Sequence, residues 1–326
     1  MQRSFSDLEY GAVKRVTRRE RFLSEIDAVM PWGELLAVLE PHYPRSGNVG
    51  RPPVGLERML RMYLAQQCFA LSDEGTEDAL YDSAAIRKFV GIDIGTETAP
   101  DATTLLKFRR LLEQHRLTER IFVVINQQLS KRGLILRKGT IVDATLMAAP
   151  SSTKNSQGER DPEMRQTKKG SNYYFGMKAH IGVDAESGLV HTLVTTAANS
   201  HDVTQAHALL HGEERVAYGD AGYRGVEKRA ENRDSAVDWR VAMRPGKRRQ
   251  LDTRTRLGKL QEKLEQMKAS IRAKVEHPFH IVKNLLGYRK ARYRGLAKNT
   301  AQLFTLFSLA NLMLAKRSLY AGSSPS

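Results

Sequence analysis

The sequence predicts an α/β protein in which a mixed five-stranded sheet with flanking helices follows an all-helical segment. Leu56, Leu60 and Tyr63 illustrate the helical spacing of apolar side chains that runs through residues 1–136. From residue 139 onward, short apolar runs alternate with helical stretches, which is typical of an α/β domain. A long amphipathic helix then follows the last apolar run.

Four helices are predicted in the first segment. Ser83 is a candidate N-cap for one of them and Gly91 is its stop, while another starts near Thr103. Short helices joined by short turns are typical of a helix-turn-helix DNA-binding module and also of a helical dimerisation domain. Both interpretations stay open, because residues 1–136 carry 19 basic and 18 acidic groups. The predicted helices span 56–67, 83–90, 103–112 and 118–132.

The predicted strands follow one another in an order that identifies the sheet. The first three form an antiparallel meander, and helices at 201–210 and 226–232 lead to the fourth and fifth. That order fits a ribonuclease-H-like sheet. The strands are predicted at 139–146, 174–183, 189–196, 215–218 and 238–243.

The stretch 150–172 is the least regular part of the chain. It is rich in Ser, Lys, Gly and Gln and is too long for an ordinary hairpin loop. We expect it to be a solvated loop or to become ordered on a ligand. Its lysines Lys154, Lys168 and Lys169 are candidates for contacting a DNA backbone.

Positive charge is concentrated in one stretch. Residues 240–298 hold 18 Lys or Arg and 4 Asp or Glu, a net charge of +14 out of +16 for the whole chain. With a sequence pI near 9.9, such a field attracts a polyanion, and nucleic acid is the first candidate partner.

The remaining composition favours a cytoplasmic protein. Cys68 is the one cysteine, which excludes an internal disulfide and a cysteine-based zinc site. No apolar signal segment is predicted at the N-terminus. The most apolar run, 300–315, is interrupted by Gln302 and Asn311 and is shorter than a membrane span, so we predict a buried C-terminal helix and no membrane partner.

Three carboxylates occupy positions that suggest chemistry. Asp143 lies in the middle of a predicted strand, where aspartate is unfavourable. Asp220 follows the predicted fourth strand at its C-terminal edge, and Glu276 lies near the end of the long helix. If one fold brings them together, their mutual repulsion favours binding of divalent cations such as Mg²⁺. Two such ions about 3.5–4 Å apart are suited to phosphodiester cleavage. Taken singly, each residue also has a structural interpretation, as a strand aspartate, a turn cap or a solvated helix charge.

Two cations share the predicted helix face with Glu276. At roughly 100° per residue, Arg272, Glu276 and Lys283 lie near 0°, 40° and 20°. Arg272 and Lys283 are therefore candidates for holding DNA phosphates. The alignment of Lys283 requires the helix to continue through Pro278.

These residues resemble the catalytic triad of bacterial insertion-sequence DDE transposases. The resemblance is to the insertion sequence five group, which is related to the insertion sequence four superfamily. Asp143 lies in Ile-Val-Asp-Ala-Thr, Asp220 in Tyr-Gly-Asp-Ala-Gly-Tyr-Arg-Gly, and Glu276 in Arg-Ala-Lys-Val-Glu-His-Pro-Phe. Further similar runs cover nearly the whole chain, at 31–32, 40–44, 71–74, 77–81, 149–155, 161–164, 166–170, 175–184 and 291–296.

The resemblance implies a domain organisation and a cofactor. Residues 1–136 would form a helical domain that binds the element's terminal inverted repeats or dimerises, and 137–300 a catalytic domain using two Mg²⁺ or Mn²⁺ ions. Residues 301–326 would form a C-terminal helix and tail. Related transposases carry a Tyr, Arg, Glu and Lys pattern around the glutamate. Here Ala269 stands at the tyrosine position, so any role of that tyrosine does not transfer.

The predicted function is that of a transposase that cleaves the 3′ ends of its element and joins them to target DNA. Asp143, Asp220 and Glu276 would hold the metal ions. Because two element ends must be cut, we expect a homodimer or larger assembly on double-stranded DNA, associated with the nucleoid. The alternatives are a ribonuclease-H-like nuclease without strand transfer and a DNA-binding repressor with structural carboxylates. The residues predicted to contact DNA phosphates are Arg272, Lys283, Arg289, Lys290, Arg292 and Arg294.

Overall fold

The computed structural model describes residues 15–44, 52–154, 156, 158–233 and 235–321. The chain divides into two compact units, one of residues 1–128 and 304–326 and the other of residues 129–303. Parts of the predicted domains and loop lie outside the described residues, namely 1–14, 45–51, Asn155, Gln157, Asp234 and 322–326.

The described part of the first unit is helical. All four predicted helices are present, and the predicted caps are confirmed: Ser83 Oγ accepts from the Ile86 amide, and Gly91 adopts a φ of 77°. Three further helices, α1, α2 and α4, were not predicted. The helices are α1 (Arg18–Val29), α2 (Trp32–Leu39), α3 (Leu56–Phe69), α4 (Asp73–Asp82), α5 (Ala84–Val90), α6 (Ala102–Gln114) and α7 (Leu117–Lys131), the last of which extends into the second unit.

The second unit is built on a six-stranded mixed sheet. β3 pairs antiparallel with β1, β2 and β4, and β5 pairs parallel with β1 and β6. The order β4-β3-β1-β5-β6 is the ribonuclease-H-like arrangement, and this prediction is confirmed. The strands are β1 (Thr140–Ala148), β2 (Arg165–Lys169), β3 (Asn172–Asp184), β4 (Val190–Ala197), β5 (Val216–Gly219) and β6 (Asp238–Val241).

The connections within the sheet differ from the prediction in two respects. The stretch 150–172, expected to lack regular structure, contains the additional strand β2. The helices predicted at 201–210 and 226–232 are short 3₁₀ turns, at Asp202–Gln205 and His207–Leu209 and at Val226–Lys228 and Ala230–Asn232. Single turns are enough here because the turns bury Leu209, Val226 and Tyr223 against Val142 of the sheet.

A long helical stretch follows the sheet. After the short helix α8 (Pro245–Arg248), α9 (Arg256–Arg272) continues through a 3₁₀ turn into α10 (Glu276–His280) and a π-helical turn, Ile281–Leu285. The buried residues of α9 are Gly258 and Glu265. Its apolar strip is instead exposed, with Leu257, Leu260, Leu264 and Met267 at 66%, 56%, 48% and 55% relative exposure.

The last helix, α11 (Leu296–Ala321), is buried along most of its length, as predicted for the C-terminal apolar run. Its C-terminal part belongs to the first unit, where Tyr63 and Thr305 share a 3.0 Å hydrogen bond between their hydroxyls. Asn311 likewise donates to Asn126 at 2.8 Å, so Thr305 and Asn311 of this helix are hydrogen-bonded inside the core. None of the helices in the described ranges is long and apolar enough to cross a membrane.

Gly182 on β3 permits a close approach that any larger residue would prevent. A Cβ built there would lie 2.1 Å from the Leu209 carbonyl oxygen and 2.8 Å from His191 Cε1. We expect Gly182→Ala to lower the free energy of unfolding by about 3 kcal/mol, because a strand and a turn must separate. Urea denaturation measures this loss. Gly246→Ala, where a Cβ meets nothing within 4 Å, is the control, and equal losses in both variants would contradict the prediction.

Candidate active site

Strands β1 and β5 place Asp143 and Asp220 beside each other. Ile141 pairs with Tyr218 in the parallel ladder, and the same register continued by two residues sets Asp143 level with Asp220. Adjacent strands are roughly 4.8 Å apart, so the two carboxylates lie on neighbouring segments of the sheet.

One carboxylate oxygen of each aspartate accepts a hydrogen bond from a nearby backbone amide. Asp143 Oδ1 accepts from the Ala144 amide at 2.7 Å, and Asp220 Oδ1 accepts from the Gly222 amide at 2.8 Å. Asp220 therefore caps the 3₁₀ turn Ala221–Tyr223, as its structural interpretation anticipated. The Oδ2 atoms of both aspartates have no hydrogen bond among the described residues, which leaves an oxygen of each for another ligand.

Glu276 reaches the same region from the helical stretch. The backbone stays right-handed helical from α9 through the 3₁₀ turn Ala273–Val275 into α10. Pro278 is buried in the first turn of α10 and does not end the helix, because an amide in a first turn has no intrahelical acceptor to lose. Glu276 itself is exposed.

Electrostatics shows that the three carboxylates act on one another. The pKa of Asp143 is raised to about 7, mainly by burial and in addition by the charges of Asp220 and Glu276, while the Ala144 amide and Arg272 act in the opposite direction. Each charge therefore lies within electrostatic reach of Asp143. A carboxyl group that is costly to ionise, with an unpaired oxygen and two acidic neighbours, fits a divalent cation that prefers oxygen ligands.

The two predicted cations differ in their contacts. Arg272 is half-buried beside Asp143, with no hydrogen bond or ion pair from its guanidinium to the described residues. Lys283 instead donates to Thr145 Oγ1 at 2.6 Å and to the Leu146 carbonyl at 2.9 Å, so its ammonium is bound to the end of β1. Burial and the charge of Lys169 lower the pKa of Lys283, and Glu276 raises it.

Comparison with known families assigns this arrangement. A family model described as a transposase DDE domain matches residues 135–312, more than half of the chain. The chain belongs to the DDE transposase family. A second model, described as a transposase domain, matches residues 12–111 of the transposase. The protein is thus a DNA transposase, an enzyme of a family that cleaves DNA with divalent metals.

Tyr223 is a further residue of this region that sequence reasoning missed. Its side chain is 1% exposed, and its hydroxyl has no hydrogen-bond partner within the described part of the chain. Burial raises its pKa well above the ordinary value, and the charges of Asp143, Asp202 and Asp220 add to the effect. Its position three residues after Asp220 was the only signal in the transposase sequence.

The other predicted DNA contacts of the transposase lie on β2, on the segment 289–294 and, for Lys154, in the loop between β1 and β2. The segment 289–294 runs beside the end of β1. There Lys290 forms an isolated parallel β-bridge with Ala148, and the Ala291 amide donates to the Ala148 carbonyl at 2.8 Å. On β2, Lys168 lies 5.5 Å from the Tyr173 ring centroid, and Lys169 acts on Lys283. Exposed basic side chains here are Lys154, Lys168, Lys169, Arg289, Lys290, Arg292 and Arg294.

The raised pKa of Asp143 predicts how the stability of the transposase depends on pH. The folded carboxyl titrates near pH 7 and the ordinary group at 3.8, so the folded state holds the extra proton between these values. The free energy of unfolding should therefore fall by up to about 4 kcal/mol as pH rises from 4 to 8 in EDTA. Mg²⁺ should reduce this fall. Urea denaturation at several pH values measures both effects.

Asp143→Asn should remove that component of the pH dependence, because its amide does not titrate. Asp238→Asn on β6 is the control, since Asp238 is exposed. A wild-type profile that matches Asp143→Asn across this pH range would contradict the assignment of the titration to Asp143.

Proposed function

We propose that the transposase cleaves DNA at both ends of its insertion sequence and joins the freed 3′-hydroxyls to target DNA. The observation that carries this proposal is that Asp220, directly after β5, and Glu276, on α10, both lie within electrostatic reach of the half-buried Asp143 on β1. Membership of the insertion sequence five group is part of the proposal and rests on the sequence runs described above.

Asp143, Asp220 and Glu276 are the residues we propose to hold two Mg²⁺ or Mn²⁺ ions. Such ions supply activation of the attacking oxygen and charge stabilisation at the scissile phosphate. The contribution of the chain is to bring hard oxygen ligands together, with Asp143 giving up its proton when a cation binds. The half-buried position of Asp143 reduces the screening of its charge by bulk water.

The basic side chains around the site are proposed to contact the DNA or to position the helix that carries Glu276. Arg272, which has no carboxylate partner among the described residues, is suited to a bidentate contact with a phosphate beside the scissile bond. Lys283 holds the π-helical turn to β1 through Thr145 and Leu146, and thereby positions the helix that carries Glu276. The segment 289–294, Lys154 and the lysines of β2 would contact the DNA backbone farther away.

The N-terminal region is proposed to recognise the element ends. The family model matching residues 12–111 supports a transposase role for this region without specifying it. Two ends must be cut, so we propose that a dimer or larger assembly forms on DNA.

The test is strand cleavage and joining on a labelled oligonucleotide that carries a terminal inverted repeat, with Mg²⁺, Mn²⁺ or EDTA. Metal-dependent cleavage followed by a joined product supports the proposal. Cleavage without joining would replace it with a plain nuclease. Binding without chemistry in either metal would replace it with a DNA-binding repressor.

A further inference from the structure

A second cluster of potential metal ligands lies at the start of β1, away from the carboxylates. The cluster consists of His191 on β4 and of His211 and Glu214 in the segment before β5. One possible ligand atom of each residue lies within 4.8 Å of those of the other two. Thr140 joins them, with its Oγ1 3.0 Å from His191 Nε2 and donating to Glu214 Oε1 at 2.9 Å. Thr140 precedes Asp143 by three residues, roughly 10 Å along the strand, so this cluster is separate from the DDE site.

One nitrogen of the cluster is unsatisfied. The side chain of His211 is 8% exposed and that of Glu214 is 0% exposed. His211 Nε2 is buried, has no hydrogen-bond partner among the residues that the structure describes, and lies 3.4 Å from Glu214 Oε1. Two ligands each about 2.1 Å from a tetrahedral zinc ion are roughly 3.4 Å apart. The separation therefore brings the Glu214 carboxylate within coordinating reach of an ion bound at His211 Nε2.

We propose that His191, His211 and Glu214 bind one Zn²⁺ ion, which ties β4 and the segment before β5 to the start of β1. Two imidazole nitrogens and a carboxylate oxygen are a zinc donor set, whereas Mg²⁺ prefers oxygen ligands alone. The two metal sites of the protein would thus differ in chemistry as well as in position. The zinc ion would have a structural role, because Asp143 and Asp220 lie three residues, roughly 10 Å, farther along the chain than the paired residues Thr140 and Ala217.

His191 is prepared for coordination. Its Nδ1 lies 2.8 Å from Thr192 Oγ1, a hydroxyl that can donate or accept and so permits either ring tautomer. Burial and the charge of His211 lower the pKa of His191 to about 4, so the ring is neutral at pH 7. A neutral imidazole binds a metal without first losing a proton.

Glu214 is held in place as a charged ligand. Its Oε1 accepts from Thr140 and from the His211 amide, and its Oε2 accepts from the Gly212 amide at 2.7 Å. These bonds lower the pKa of Glu214, against the effect of burial. A carboxylate has about four lone-pair sites, so one site on Oε2 stays open to a cation.

Zinc binding must rearrange one contact of each histidine. Thr140 Oγ1 donates to Glu214, so His191 Nε2 carries the ring proton and donates to Thr140; on coordination through Nε2 this bond is given up and the proton moves to Nδ1, which can donate to Thr192. The Glu213 amide donates to His211 Nδ1 at 3.2 Å, which places the proton of the neutral ring on Nε2. A ring bound to zinc through Nε2 carries its proton on Nδ1. The proton therefore moves from Nε2 to Nδ1, the Glu213 hydrogen bond is given up, and the net number of protons is unchanged.

The test uses the full chain with Asp143→Asn and Glu276→Gln, which remove the proposed carboxylate site. After loading with Zn²⁺ and dialysis against metal-free buffer, elemental analysis should find one zinc per chain. Zinc should also raise the thermal midpoint by about 5 °C at 100-fold excess over the dissociation constant. Co²⁺ in place of Zn²⁺ should give the intense visible absorption of a four-coordinate site with nitrogen ligands.

Matched histidine variants locate the site. His211→Gln and His191→Gln should each lose the zinc and the thermal shift, whereas His207→Gln, at an exposed histidine, should keep both. If both cluster variants fail to fold, the cobalt spectrum of the chain with intact histidines still tests whether a four-coordinate site with nitrogen ligands is present. Absence of retained zinc, a six-coordinate cobalt spectrum, or equal zinc content in His211→Gln and His207→Gln would each overturn the proposal.

Discussion

Replacing Glu276 with glutamine is expected to reduce both cleavage and joining by more than about 10³-fold, because the proposed site loses a charged ligand. Folding should be unaffected, since Glu276 is exposed and makes no ion pair with the described residues. Binding to the element end should also persist, because the proposed DNA contacts stay in place. Single-turnover cleavage, a binding assay and thermal denaturation measure the three quantities.

Glu262→Gln on α9 is the control for Glu276→Gln. Glu262 lies on the same helical stretch but pairs with Arg248 at 2.7 Å, so its loss should leave cleavage within about two-fold of the wild type. Retained cleavage in Glu276→Gln would remove Glu276 from the proposed site. Loss of folding in Glu276→Gln would show that the residue is structural.

The second large effect is expected from Arg272→Gln, which should lower cleavage about 100-fold. The guanidinium lies beside Asp143 and has no carboxylate partner among the described residues, so we expect its main loss to be a phosphate contact. The slope of log affinity against log salt should fall by roughly one for the same reason. Cleavage rates and binding at several salt concentrations test the prediction.

Lys283→Gln should behave differently from Arg272→Gln. Its ammonium is already bonded to Thr145 and Leu146, so its removal should lower the free energy of unfolding by about 1–2 kcal/mol with little change in the salt slope. Arg256→Gln, at an exposed arginine at the start of α9, is the neutral control. Identical profiles for Arg272→Gln and Lys283→Gln would contradict the distinction.

Local patterns predicted much of the fold. The helix α5 was found from Ser83 and Gly91, because capping depends on residues that are adjacent in sequence. The strand β2 was missed because its residues are charged and exposed, and its position depends on the ladder with β3. The sequence predicts helices at 201–210 and 226–232, where the structure has 3₁₀ turns, because α-helices and 3₁₀ turns show similar spacing of apolar residues over a single turn.

The site was predictable as far as topology determines it. Asp143 and Asp220 follow from the order of the strands, since a parallel pair sets the register between them. The bonds from Lys283 to β1 were not predictable, because they join residues that are 138 and 137 positions apart in the chain. His191, His211 and Glu214 also come from separate segments, and their spacing matches no short metal motif.

The exposed leucines and methionine of α9 have a consequence for how the protein behaves in solution. They form an exposed hydrophobic strip within the most positively charged part of the chain. At low ionic strength, like charges keep such strips on different molecules apart, whereas added salt screens the repulsion and sulfate or phosphate strengthens apolar contact. Conditions that release bound DNA therefore also favour self-association. Colloidal stability and freedom from nucleic acid are opposing requirements for this chain.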